Sequence, residues 1–188
     1  MFYIFTLMKA RFILFFFFYV SLISAQKYAT RSGQTSFIGS EETFEQIKAI
    51  NKVSTAIVDS SNGNIAILLF VSAFKFEIAL MEEHFNENYM ESSKYPKATF
   101  VGNIQDFKYE ELTNSENNYD IVGVLAIKGI ERSVTINGRM QKTDQGISLK
   151  TNFIVLTEDY NIKIPKVVRN KISKTINIKA EYELIEKI

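Results

Sequence analysis

The chain has 188 residues, 46% hydrophobic and 23% charged, and its 22 Lys plus Arg against 21 Asp plus Glu leave a formal net charge of +1. That length suits one domain, and the even charge lacks the basic surplus that neutralises a phosphate backbone, so nucleic acid is not an expected partner. The absence of Cys rules out disulfides, thiolate metal sites and a thiol nucleophile, and a single His, His84, rules out any site that needs two imidazoles.

The first 25 residues have the layout of an export signal. Lys9 and Arg11 precede an apolar run from Phe12 to Ile23, centred on Phe15, Phe16, Phe17 and Phe18, and Ser24-Ala25 closes it with small residues. The run falls short of the roughly 20 residues that a membrane helix needs. We therefore expect a cleaved signal peptide over 1–25, a single domain over 26–188 and a periplasmic or secreted location. No Cys follows the apolar run, which excludes lipoprotein attachment, and loss of Lys9 and Arg11 takes the net charge from +1 to −1. What remains is long enough to bury a core without disulfides.

From residue 34 onward the dominant period is two, with β-branched and aromatic residues in runs bounded by turn residues. Eight strands are expected, over 34–39, 52–59, 64–72, 96–107, 119–128, 131–141, 146–157 and 174–186. Asn62-Gly63 reads as a type I′ hairpin turn, and Gly129 and Asp144-Gln145-Gly146 punctuate later runs. The polar stretch from Glu110 to Asn118 reads as a mobile surface loop. Three pieces read as helical. Ser40 caps a turn that begins with Glu41 and Glu42 and places Phe44 and Ile47 on one face. Ile78 to Asn88 is amphipathic through Leu80, Met81, His84 and Phe85. Pro165 starts a third turn that carries Val167, Val168 and Ile172.

Eight antiparallel runs with few helices leave a sandwich or a closed barrel, and alternation alone does not choose between them. Lys97 to Phe107 spans over 30 Å at about 3.3 Å per residue, which suits a coiled sheet that closes on itself. Gly102 and Gly123, lone glycines in strands, read as kinks that let a barrel curve. The acidic pairs Glu41-Glu42, Glu82-Glu83 and Glu110-Glu111 are sequence neighbours and do not face one substrate from two sides, as glycoside hydrolysis requires. No phosphate loop, zinc pattern or nucleophile elbow is present. Lys163, Lys166, Arg169, Lys171 and Lys174 form a basic run with no acid between them. It reads either as a solvated face or as a transient contact with an anionic membrane surface.

Leu80-Met81-Glu82-Glu83-His84-Phe85, followed by Asn88-Tyr89-Met90 and Lys94-Tyr95-Pro96-Lys97-Ala98-Thr99-Phe100, resembles the central signature of the YceI-like family of exported bacterial proteins. In that family a short helix bearing a His leads to an aromatic pair and a K-Y-P-x-x-x-F strand entry. Gly123-Val124-Leu125-Ala126-Ile127-Lys128-Gly129, continuing through Val134-Thr135-Ile136, is similar to its second signature, a hairpin. Asp159-Tyr160-Asn161-Ile162 resembles its third, a turn before the last strand. The chain departs from the family where Gly33 to Gly39 lacks a His-Ser pair, where Thr157 replaces a common Arg, and where Asn161 replaces a Gly. Asn tolerates positive φ, so that turn is expected to survive.

The resemblance implies an all-β fold, an eight-stranded antiparallel lipocalin-like barrel with short helical segments. It also implies an apolar isoprenoid ligand, a polyprenyl chain or quinone tail, held inside for carriage or sequestration. No catalysis and no cofactor beyond the bound lipid are expected. Phe70, Phe74 and Phe76 share parity and are expected on one wall of the interior, joined by Met81, Phe85 and Phe100. Equally, all six suit a solid core. His84 is expected at the barrel mouth as a polar contact or a structural residue. A filled barrel would instead make the protein an interaction module or stress-related module, with a homodimer left open. A lipid-modifying enzyme would require His84 buried beside a carboxylate.

Overall fold

The structure, a computed structural model, describes residues 26–40 and 46–187. Nine strands follow in order: β1 (Lys27–Ser40), β2 (Lys48–Asp59), β3 (Asn64–Phe70), β4 (Lys75–Phe76), β5 (Lys97–Ile104), β6 (Asn117–Ile127), β7 (Ile130–Thr143), β8 (Gly146–Leu156) and β9 (Ile172–Lys187). One short helix, α1 (Ala79–His84), continues into a π-turn at Phe85–Tyr89. The hydrogen-bonded order is β1-β9-β8-β7-β6-β5-β3-β2, and β2 pairs back onto β1, so eight strands close an antiparallel barrel. β4 is an extra two-residue strand on the end of β2.

The period of two gives each strand one inward face, and the β1–β2 pairing closes the sheet so that no barrel edge is left unpaired. β1 pairs on both sides, with β2 and β9, and its register shifts on either side of Gly33. These bulges bend the strand across the seam. Gly33 also lets the Tyr182 ring lie against the chain, since a Cβ there would sit 2.2 Å from its Cδ1.

One half of the barrel is solid. Val58, Ile104, Met140, Ile147, Leu149 and Leu184 meet there, each at most 1% exposed. Tyr28 and Tyr109 stack at 5.1 Å, and Leu112 is buried against the same cluster. The turns at 60–63 and 144–145 and the connector 105–116 lie at this end. Connectors 71–96 and 157–171 and the turn Lys128-Gly129 gather at the other end.

All eight expected strands are present, with local differences. β1 begins at Lys27 because its first half pairs with the end of β9, a partner that only the closed fold supplies. β5 stops at Ile104, short of the expected 107, where the backbone turns at Asp106 with φ 54°. The Asn62-Gly63 turn is not type I′, since only Gly63 has positive φ. Asp59 organises a wider loop, its carboxylate accepting from Ser61 N and Oγ while its carbonyl accepts from Gly63 N at 2.9 Å. The type I′ geometry occurs instead at Lys128-Gly129, φ 51° and 74°, closing the Ile127↔Ile130 pair. Of the polar stretch 110–118, Glu110–Glu111 end a 3-10 turn, 112–116 form a surface loop whose Leu112 plugs the solid end, and 117–118 already belong to β6. The turn expected after Ser40 falls mostly on 41–45, and the signal peptide on 1–25, both outside the described residues.

Candidate functional site

Toward the end where the connectors gather, the barrel encloses a cavity of about 350 Å³. That is within the range of small-molecule pockets. β3 contributes Ile65, Ile67 and Leu69, β6 contributes Ile121, Leu125 and Ile127, and β9 contributes Ile176, Ile178, Ala180 and Tyr182. Among the described residues no carboxylate lines it. His84 and Lys171, both exposed, mark its rim.

Four phenylalanines form the cap over this space. Phe37 from β1 lies 5.2 Å from Phe74, 5.8 Å from Phe76 and 5.4 Å from Phe85, and Phe85 closes the cluster at 5.7 Å from Phe74 and 5.1 Å from Phe76. The turn at Val71–Ala73 folds the chain over the barrel end and so delivers Phe74 and Phe76 to it. The spacing of α1 then adds Met81, His84 and Phe85 to the same lining. Phe100 reaches the cavity from β5.

Five of the six apolar residues expected on the wall therefore line the cavity: Phe74, Phe76, Met81, Phe85 and Phe100. Phe70 does not. It is 47% exposed on the outer surface, beneath the Lys97 Nζ at 5.6 Å, because the turn at 71–73 breaks the alternation on which the shared parity relied. Phe37 was not among the expected residues, although it alternates with Thr35 and Gly39 in a run already read as a strand. That parity carries its inward direction.

His84 is at the mouth and exposed, with no side-chain partner among the described residues. Among the described residues His84 does not form the buried imidazole–carboxylate pair expected of a lipid-modifying enzyme built on it. The basic run falls on the connector after β8 and the start of β9, where Val167 is 85% exposed and Lys171 borders the opening. Besides the β2–β4 pairing, an ion pair ties the cap to the barrel. The Lys128 ammonium, on a side chain only 11% exposed, lies 2.6 Å from Glu91 and holds that carboxyl below its ordinary value.

Thr99, Thr151 and Thr157 are also among the lining residues, and at the inner end of the cavity hydroxyls come together. Tyr182 and Thr35 line the floor, with the Tyr182 hydroxyl 3.1 Å from Thr35 Oγ1 and Thr35 Oγ1 2.9 Å from Ser54 Oγ. Burial raises the Tyr182 phenol above its ordinary 10.0, opposed by the neighbouring Thr35 and Ser54 hydroxyls. The phenol is neutral at any physiological pH.

The YceI-like domain model matches residues 26–184, which takes in β1–β8, β9 as far as Leu184 and both signature connectors. The chain belongs to the YceI-like family. Solved structures repeat the fold. A polyisoprenoid binding domain from Saccharophagus degradans superposes with a TM-score of 0.72 at 14% identity, over 87% of this chain and 98% of that one. Burkholderia cenocepacia BcnA gives 0.67 at 17% identity, over 82% and 96%. A Campylobacter jejuni YCEI protein gives 0.61 at 14% identity, over 77% and 87%. Comparison with curated proteins by sequence matches none. The YceI-like third signature is intact in shape, since Asn161 takes the left-handed conformation at φ 55° after the turn Thr157–Tyr160.

Proposed function

We propose that this YceI-like protein is an exported, non-catalytic carrier that holds an isoprenoid lipid, a polyprenyl chain or quinone tail, inside its barrel. The observation that carries this reading is the cavity of about 350 Å³, walled by aliphatic and aromatic side chains, with no carboxylate among its described lining. A polyisoprenoid offers almost only apolar surface, and its burial is favourable by about 25 cal/mol per Å². The Saccharophagus neighbour, described as polyisoprenoid binding, supports the ligand class. The layout of residues 1–25 supports export, with the domain beginning at Gln26. Uptake and release of such a ligand require a membrane, and the cationic connector from Lys163 to Lys174 beside the cavity rim suits an anionic leaflet.

Detergent-free purification from the host followed by extraction mass spectrometry tests the reading. About one isoprenoid per chain is expected, with occupancy reduced in Phe74→Ala and Phe85→Ala. A protein that carries no lipid and is not stabilised by added quinones or polyprenols overturns it. A second reading, an interaction module, is favoured by Val101, Val122 and Val124, which lie exposed together on the outer face of β5 and β6 at 61%, 44% and 39%. Light scattering on the same preparation separates the two. A lipid-free homodimer that Val101→Asp dissociates supports the module.

A further inference from the structure

The hydroxyl floor of the cavity is not explained by a hydrocarbon ligand. Tyr182 and Thr35 are 2% and 5% exposed, and Ser54 behind them is fully buried. Their hydroxyls bring three protons, and the two contacts at hydrogen-bond distance consume two. The Tyr182 hydroxyl also neighbours that of Ser54, and because all three hydroxyls rotate, a donor and free lone pairs can turn into the cavity. Hydroxyls with hydrogen-bonding capacity left over, facing an otherwise apolar space, suit a polar group better than a hydrocarbon. Its position is built and not incidental. Tyr182 fits only because Gly33 lacks a side chain, and the register shifts around Gly33 bring Thr35 and Ser54 to the same point.

We infer that the ligand enters polar end first and that this end is neutral, a carbonyl or hydroxyl hydrogen-bonded to Tyr182 and Thr35. The inference rests on the lipid-binding reading and deepens it. A carbonyl selects the arrangements in which Tyr182 or Thr35, the two that line the cavity, turns its proton inward, and a ligand hydroxyl can instead donate to a free lone pair. A phosphate is excluded from the floor, because no cation lines the inner end and an unpaired buried charge is far more costly than a neutral dipole. Among the described residues the only cationic lining residue, Lys171, is at the rim, so a phosphate-headed lipid sits tail first with its head outside.

The experiment compares four probes of similar chain length by equilibrium dialysis: a farnesylated quinone, farnesol, farnesene and farnesyl phosphate. The protein used is the delipidated wild type, Tyr182→Phe and Thr35→Val. The quinone and farnesol are expected to bind the wild type more tightly than farnesene. Tyr182→Phe is expected to weaken those two roughly three- to tenfold, the worth of one neutral hydrogen bond, and to leave farnesene and farnesyl phosphate unchanged. Thr35→Val repeats the pattern in a second fold context, and a thermal melt of each variant confirms that the barrel is intact. Farnesene binding as tightly as the quinone, or a variant that weakens all four probes alike, overturns the inference while leaving lipid binding in place. No binding of any probe overturns both.

Discussion

The Phe100 ring lies over two glycines, Gly102 and Gly123, which face one another across β5 and β6. A Cβ on either would come within 2.8 Å of the Phe100 Cζ, and each would also strike a backbone carbonyl of the other strand at 2.5 Å. The glycines are therefore kinks, as expected, but kinks sealed by an aromatic side chain that takes the place of the missing ones. Phe100 is 5% exposed, so Phe100→Ala removes a ring from above two residues with nothing to fill the space. A loss of about 3–5 kcal/mol in urea unfolding is expected. Phe70→Ala gives the contrast. Its ring is on the outer surface under Lys97, and stability is expected to change by less than about 0.5 kcal/mol with lipid occupancy unaltered. A large loss of occupancy in Phe70→Ala contradicts its placement outside the wall.

Connector 71–96 is the element that makes the cavity an enclosure, and it is held differently from the strands. α1 has no fully buried residue and no side-chain cap, so its six residues are helical because Met81 and Phe85 pack inward, not through propensity. One ion pair braces the connector internally and another ties it to the barrel. Glu82 receives Lys75 and the Phe76 amide, and Glu91 receives Lys128 from the β6–β7 turn. Each carboxyl is held below its ordinary 4.5, by the Lys75 hydrogen bond at Glu82 and by the Lys128 hydrogen bond at Glu91. A depressed carboxyl in the folded state stabilises fully above the unfolded value, and that contribution is lost as pH falls through the folded value. Protection of amides 78–92 in hydrogen exchange is therefore expected to fall below about pH 4.5, while β7 and β8 remain protected. Glu82→Gln/Glu91→Gln is expected to show the weakened cap already at neutral pH, with no further acid step in this region. An acid step that persists in the double variant places the sensitivity elsewhere.

The whole molecule divides into a packed half and a hollow half, and the two were not equally legible in the sequence. Alternation located eight strands, because every strand of a barrel has one wet and one dry face. The hairpin signals at Gly129 and Gly146 gave antiparallel order. Parity says that Ile67, Ile121 and Ile178 point inward, but it does not say whether opposing side chains meet. Across the solid half Met140, Ile147 and Leu184 do meet, whereas Ala98, Ala180 and Thr151 near the other end leave space. Phe70 falls outside because a three-residue turn resets parity, whereas Phe37 is inward by its alternation with Thr35 and Gly39, but only the folded chain shows that β1 carries it under the cap. The division makes the two halves separable by mutation. Ala180 is 5% exposed and lines the cavity from β9, so Ala180→Leu grows into empty volume. Its stability is expected to stay within about 1.5 kcal/mol of the wild type while lipid occupancy drops. Met140, fully buried in the solid half, has the opposite signature. Met140→Ala is expected to cost about 2–5 kcal/mol, and whatever protein remains folded should hold lipid as before. Urea unfolding and extraction mass spectrometry on the two variants check both directions at once. If Ala180→Leu costs as much stability as Met140→Ala, the upper half is packed in solution and the cavity is not available to a ligand.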